Sequence, residues 1–131
     1  MNAIAHCVEA LYAQDGNPIT SLMAQEGIRA LAASMPLIVK TPSDLEARSD
    51  ALYGAWLAGI ALGAAGMALH HKLCHTLGGS FNLPHAQTHA IVLPHAARIA
   101  SDSPYPNPRP IEYAGVLALL RAAHEGSRPE A

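Results

Sequence analysis

The chain has 131 residues, of which half are hydrophobic and only 14% are charged, and its formal net charge is -2. This length suits a single domain with a buried core, although it is short for an enzyme that binds two substrates. The small negative charge argues against nucleic acid and acidic membrane surfaces as partners.

Two helices are expected near the start of the chain. Apolar residues recur at helical spacing over residues 2–13, and the Gly-Asn-Pro run at 16–18 then marks a stop and a restart. The second helix is expected from Pro18 to Met35, because Pro36 lacks the backbone donor that a continuing helix needs.

The middle of the chain contains a long uncharged stretch, residues 51–69. Ser43 followed by Glu46 predicts a capping box at the start of a third helix that extends to residue 69. A span of this length without charge raises the alternative of a membrane helix. Because the stretch is mostly Ala and Gly, with a Gly59-x-x-x-Gly63 spacing, a central helix closely wrapped by its neighbours is favoured.

The second half of the chain is expected to be helical with breaks. A helical segment from His70 to Thr76 is predicted to end at Gly78-Gly79, and residues 81–84 read as a loop that delivers His85. Another helix is expected from Ala86 to Ala100, with a kink or break at Pro94.

Four prolines predict an extended connector over residues 101–110, followed by a last amphipathic helix over 111–124 and a polar tail over 126–131. No segment reads convincingly as a strand. The sequence therefore predicts one all-α domain over residues 1–131, a helical bundle of about six helices.

Histidine is the most unusual feature of the composition, since there are eight and five of them lie between His70 and His89. His71 and His75 are four residues apart and share a helix face, as do Asn2 and His6. Imidazoles that converge from two helices and a loop are a common way for a bundle to hold a divalent metal.

The remaining histidines receive different interpretations. His85 arrives from the predicted loop, and His89 follows it by one helical turn. His70, His95 and His124 are interpreted as structural, because isolated histidines are mostly partly exposed or satisfied in the core.

The two cysteines, Cys7 and Cys74, form no C-x-x-C pair and are expected to be buried and unreactive. The start of the chain does not read as a signal peptide. Together these features favour a reduced, cytoplasmic protein.

A resemblance to a known family rests on three motifs. Residues 71–79 read HKLCHTLGG, residues 81–85 read FNLPH and residues 93–95 read LPH. This His-x-x-x-His-x-x-Gly run with its Pro-His resembles the signature of the iron-containing alcohol dehydrogenases. The opening MNAIAHCVEALYA and the NPRP at 107–110 are most similar to the maleylacetate reductase branch.

The resemblance implies the fold of that family's C-terminal helical domain and a set of site residues. The implied metal ligands are Asn2, His6, His71 and His85. Asn2 stands where the metal-using members have an aspartate, so iron or zinc is expected to bind weakly or not at all. The implied catalytic residues are His6, His71 and His85 around the substrate, with His75 as a proton relay that contacts the nicotinamide cofactor.

The implied activity is the reduction of maleylacetate, a small dicarboxylate, to 3-oxoadipate by NADH or NADPH in the degradation of aromatic compounds. The family's nucleotide-binding domain has no counterpart in the sequence, and the abrupt passage from residue 100 into the connector indicates internal shortening. Two alternatives stay open: an iron- or zinc-dependent alcohol dehydrogenase, and a non-catalytic helical module for metal binding or oligomerisation. The sequence also leaves a homodimer open.

Overall fold

The computed structural model describes residues 1–101, apart from the side chains of residues 97 and 99–101. This part of the chain contains five helices and no strand, which confirms the all-α prediction. The helices are α1 (Asn2–Tyr12), α2 (Pro18–Lys40), α3 (Leu45–Ala64), α4 (Leu69–Phe81) and α5 (His85–Ser101). The expected sixth helix, most of the connector and the tail lie outside the described residues.

Side-chain caps begin two of the helices. The Asn17 side chain accepts two backbone N–H groups from the first turn of α2, at 3.0 and 3.1 Å, and Pro18 follows at a position where no N–H is needed. Asp44 caps α3 by accepting the N–H of Ala47 at 3.0 Å. The predicted capping box at Ser43 is therefore wrong by one residue.

Two predicted helix ends are wrong, because proline and glycine weaken these helices without ending them. α2 continues through Pro36 to Lys40. The carbonyl that loses its partner belongs to Ala32, an exposed residue, so water can satisfy it. α4 likewise runs through Gly78-Gly79, at a cost of about 1 kcal/mol per glycine, and ends where Asn82 adopts the left-handed conformation with φ of 51°.

α3 ends at Ala64 rather than at residue 69, and the cause is a tertiary contact. Ala65 is extended, and the next N–H, that of Gly66, donates to both carboxylate oxygens of Asp15 at 3.0 and 3.1 Å. The chain therefore turns before α4. Further along, His85 is the first residue of α5 rather than the end of a loop, and Pro94 does not break that helix.

Within the described range, no single helix is long and apolar enough to cross a membrane. α3 and α4 have the required length and composition only when they are taken together, and they are bent by 95° at their junction.

The apolar core is divided into two parts. Small residues of α1, α2 and α3 form the larger core, which consists of Cys7, Ala10, Ala13, Ala24, Ala58, Ala61 and Ala65. A second core joins α4 to α5 through Cys74, Val92 and Ala96. Since α1 also contacts α4 and α5, polar residues between the two cores can be enclosed from both sides.

α3 packs closely against its neighbours at Gly54, and not at Gly59 and Gly63 as the sequence pattern indicates. A Cβ at Gly59 or Gly63 would meet nothing within 4 Å, whereas one at Gly54 would lie 2.8 Å from Cγ and 3.1 Å from the backbone N of Leu31. The prediction that neighbours wrap the whole of α3 is therefore wrong. Only the Gly54 face packs tightly, and Trp56 is 61% exposed.

We expect Gly54→Ala to destabilise the domain and Gly59→Ala to stabilise it. At position 54 the methyl group would press on backbone, and overpacking of this kind costs about 1–3 kcal/mol. At position 59 alanine gains about 0.5–1 kcal/mol from its helix propensity alone. Urea denaturation of both variants tests this, and equal shifts of the two midpoints would contradict the packing described here.

Candidate active site

Six histidines form a cluster between the two apolar cores, where α1, α4 and α5 meet. Each ring has its centroid within 6.3 Å of at least one other ring of the cluster. We call this the histidine cluster; its members are His6 from α1, His70, His71 and His75 from α4, and His85 and His89 from α5. Every histidine that the resemblance implied for the site is therefore a member.

His71 is the most restrained ring of the cluster. It is 1% exposed and stacks on His6 with ring centroids 4.1 Å apart and planes inclined by 16°. Its Nδ1 is hydrogen-bonded to Oε2 of Glu9, and its Nε2 lies 3.0 Å from Oδ1 of Asn2. Two residues of α1 thus fix the orientation of a ring on α4.

Glu9 is the partner that the sequence reasoning missed. Its carboxylate is 2% exposed and also accepts the backbone N–H of His71 at 3.1 Å. Burial raises the pKa of the Glu9 carboxyl, but the hydrogen bonds from His71 together with the charges of His71 and His70 outweigh burial, and the pKa lies below its ordinary value. The available signal was position, because Asn2, His6 and Glu9 follow one another at spacings of four and three on one helix face.

With Glu9 ionised, Nδ1 of His71 must donate to the carboxylate. As the Asn2 amide is placed, its oxygen accepts from Nε2, so the ring is an imidazolium. If the amide is turned over, its nitrogen donates to Nε2 and a neutral ring satisfies the same contacts. Neither nitrogen of His71 keeps a free lone pair in either arrangement.

A second hydrogen-bonded pair lies deeper in the cluster. Nε2 of His70 is 2.9 Å from Nδ1 of His89, and both side chains are almost fully buried. His70 is thus a buried, hydrogen-bonded residue of the core, in accord with its structural interpretation, and it supports His89. The half-buried His95 lies outside the cluster, in accord with its structural interpretation, and His124 lies outside the described residues.

The open side of the cluster is formed by His75 and His85, which are both exposed. Their ring centroids are 5.7 Å apart, and the ring of His85 lies 4.3 Å from that of the buried His89. Two ring nitrogens of the cluster, Nδ1 of His6 and Nε2 of His89, are buried without a hydrogen-bond partner in the described part of the chain. A ligand that approaches this side would meet the two exposed imidazoles first.

The four ligands implied by the resemblance do not fit a metal ion in this arrangement. In the described part of the chain, the ring nitrogens of His6, His71 and His85 do not all lie within 4.8 Å of one another. Both nitrogens of His71 are occupied by Glu9 and Asn2. A cation at Nε2 of His71 would have to displace the contact with Asn2, whereas the hydrogen bond between Nδ1 and Glu9 could remain.

Both cysteines are buried and unpaired, as predicted. Burial raises the pKa of each thiol to about 11. Neither is a thiolate at neutral pH, so neither suits nucleophilic chemistry.

The buried histidines should make the domain sensitive to acid. Burial lowers the pKa of His70 to about 4, although the negative charge of Glu9 acts in the opposite direction. Burial and the neighbouring histidines lower the pKa of His89 to about 4 as well. Since an unfolded histidine titrates near 6.5, the folded state binds fewer protons between these values. The stability that the two rings contribute is therefore complete above about pH 6.5 and is lost as the pH falls towards 4.

We expect the free energy of unfolding to fall by a few kcal/mol between about pH 6.5 and 4. Urea denaturation in buffers that contain a chelator measures this fall, and His89→Gln should reduce it. A profile without slope in this window would contradict the burial of these rings as neutral groups.

Comparison with known proteins shows the family. Residues 1–106 match the model of the Fe-containing alcohol dehydrogenase family, C-terminal. The chain is 47% identical to a protein named maleylacetate reductase from Sphingobium indicum, over 98% of this chain and 52% of the relative. It is 63% identical to maleylacetate reductase 2 of Cupriavidus pinatubonensis, over 96% of this chain and 34% of that protein.

Solved structures agree with this result. The crystal structure of maleylacetate reductase from Agrobacterium tumefaciens matches with a TM-score of 0.90 and 41% identity, over 98% of this chain and 52% of that one. The chain thus spans about half the length of such relatives. The alignment with the Sphingobium indicum protein runs over 183 residues, more than the 131 present here, so the relative has residues opposite gaps in this chain. The chain belongs to the iron-containing alcohol dehydrogenase family, as its C-terminal helical domain.

Proposed function

We propose that this chain supplies the substrate side of an NADH- or NADPH-dependent reductase that converts maleylacetate to 3-oxoadipate. The choice of substrate rests on one observation, the 47% identity over 98% of the chain to a protein named maleylacetate reductase. The geometry of the histidine cluster supports the chemistry. The cluster combines the exposed imidazoles of His75 and His85 with buried rings that are held by hydrogen bonds.

The reaction adds a hydride and a proton across a carbon–carbon double bond conjugated to a ketone. A nicotinamide cofactor, when bound, would supply the hydride. With the hydride added to the carbon remote from the ketone, the electron pair of the double bond would move towards the ketone oxygen as an enolate. The proton then goes to the carbon next to the ketone. The protein must therefore stabilise an oxyanion and deliver a proton.

In our proposal His75 delivers the proton. It is exposed on α4, so solvent can reprotonate it after each turnover, and it adjoins the buried rings on one side only. The neighbouring His85, which is also exposed, can donate a hydrogen bond to the developing enolate oxygen when it carries a proton. No step requires a metal ion.

His71 acts differently from the role that the resemblance implies. Because it is buried and bonded at both nitrogens, we assign it as a positioning residue rather than a group that touches the substrate. It holds His6 by stacking, and Glu9 holds His71 in turn. The carboxylate also balances positive charge within the cluster.

A chimaera tests the proposal. The equivalent segment of the Sphingobium indicum relative is replaced by residues 1–101 of this chain, and oxidation of NADH and NADPH is followed with and without maleylacetate. We expect consumption that depends on maleylacetate, with 3-oxoadipate identified by mass spectrometry. A chimaera that folds and binds nucleotide but leaves maleylacetate unchanged would refute the proposed function.

A further inference from the structure

Three histidines at the open side of the cluster have their ligand atoms within 4.8 Å of one another: His75, His85 and His89. They come from α4 and from two successive turns of α5. His75 and His85 are exposed and His89 is buried, so the group has one fixed member and two that can adjust. This set shares only His85 with the four ligands that the family resemblance implies.

The fixed member is prepared as a ligand. His89 is 0% exposed, and its Nδ1 is 2.9 Å from Nε2 of His70. If Nδ1 carries the proton and donates it to His70, the lone pair of His89 is left on Nε2, the nitrogen that has no partner in the described residues. Metal-bound histidines are typically held in this way, by a hydrogen bond from the ring nitrogen that does not bind the metal.

The spacing also suits a small cation. Nitrogens bound to one tetrahedral zinc ion lie about 3.4 Å apart, given zinc–nitrogen distances of about 2.0–2.1 Å. In the structure the ligand nitrogens are separated by up to 4.8 Å. Rotation of the exposed His75 and His85 side chains would reduce these separations to about 3.4 Å. Three imidazoles with one open position form a common zinc site.

We propose that His75, His85 and His89 form a three-histidine site for zinc, with its fourth position open to solvent. A neighbouring group, His70, Cys74 and His89, also has its ligand atoms within 4.8 Å. All three of its residues are at most 1% exposed, so a cation would have no open approach to it. The site uses the same His75 and His85 as the proposed reduction, so a zinc ion bound there would oppose the proton delivery proposed above. Binding itself can be tested without nucleotide or maleylacetate.

The test uses the full chain, stripped of metal with a chelator and then freed of the chelator. Cobalt(II) serves as a visible substitute for zinc. We expect one equivalent to bind, with the visible absorption of a tetrahedral ion and no thiolate charge-transfer band, and zinc should displace it. Zinc content measured after dialysis gives a second readout.

Variants assign the ligands. His75→Gln and His85→Gln should each weaken cobalt binding at least about 100-fold, because one of three protein ligands is lost. Both positions are exposed, and circular dichroism checks that the helices remain. His95→Gln, on the same helix as His85 but outside the cluster, and Cys74→Ser should bind as the unaltered chain does.

Three results would overturn the proposal. The first is no binding of cobalt or zinc by the folded chain at micromolar concentrations. The second is unchanged binding by His75→Gln, together with loss of binding in His6→Gln, which would place the ion at the ligands of the family resemblance. The third is a thiolate band that Cys74→Ser removes, which would place it in the buried group.

Discussion

Replacing Glu9 by alanine should destabilise the domain by about 3 kcal/mol. A buried donor that is left without an acceptor costs about 1–3 kcal/mol, and this substitution removes the acceptor of more than one donor. Glu9 is 2% exposed and accepts both the side chain and the backbone N–H of His71, so two buried donors would lose their acceptor. Urea denaturation near pH 7 measures the loss.

Glu26→Ala is the matched control for this variant. Glu26 pairs with Arg29 at 2.6 Å on the surface of α2, where solvent screens the charges, so little change in stability is expected. The cost of removing Glu9 should also depend on pH. Because its folded pKa is lowered, its contribution is complete above the ordinary glutamate value of about 4.3 and is lost as the pH falls further. A difference that persists unchanged below that value would contradict the assignment of an ionised Glu9.

His75→Gln in the chimaera should lower maleylacetate-dependent turnover by about 10²–10⁴-fold, the usual contribution of a general acid. Glutamine keeps the size and polarity of the side chain but cannot deliver a proton. Since His75 is exposed and lies outside both apolar cores, the fold should be unaffected. Turnover is measured under saturating substrate, together with the melting temperature.

His95→Gln provides the control for turnover, because His95 lies on α5 outside the cluster. We expect its turnover to match that of the unaltered chimaera. If His75→Gln retained more than about a tenth of that turnover, His75 would not be the proton donor, because a general acid contributes at least about 10²-fold.

The sequence predicts the class of fold well, because helical periodicity and caps are local properties. The sequence also predicts that Asn2 and His6 share one helix face and that His71 and His75 share another. In the structure the three histidines belong to the cluster, and Asn2 contacts His71. What joins these half-sites is the contact between α1 and α4. That contact is tertiary, and spacing along the chain does not specify it.

Glu9 shows the limit most clearly. An acidic residue in a short amphipathic helix is usually solvated, and the one local sign that distinguishes Glu9 from Glu26 is its place on the helix face of Asn2 and His6. The burial of Glu9 depends mainly on the side chain and backbone of His71, 62 positions later in the chain. The end of α3 has a similar origin, since Asp15 binds the N–H of Gly66 from 51 positions away.

Local signals failed where the environment compensates for a weak residue. Pro36 removes a hydrogen bond on the exposed side of α2, where water can take its place. Gly78 and Gly79 remain helical, and α4 stops only when Asn82 reaches the left-handed region. Such positions are decided by exposure, and exposure follows from the packing of the whole domain.

A double-mutant cycle between Glu9 and His71, using Glu9→Gln and His71→Gln, probes the junction of α1 and α4 on which the site depends. We expect a coupling of about 1–3 kcal/mol in the free energy of unfolding, with additive effects for the control pair of Glu9 and His95. Effects of the Glu9 and His71 substitutions that add to within about 0.5 kcal/mol would show that the two side chains do not meet, and the active site described here would then be wrong.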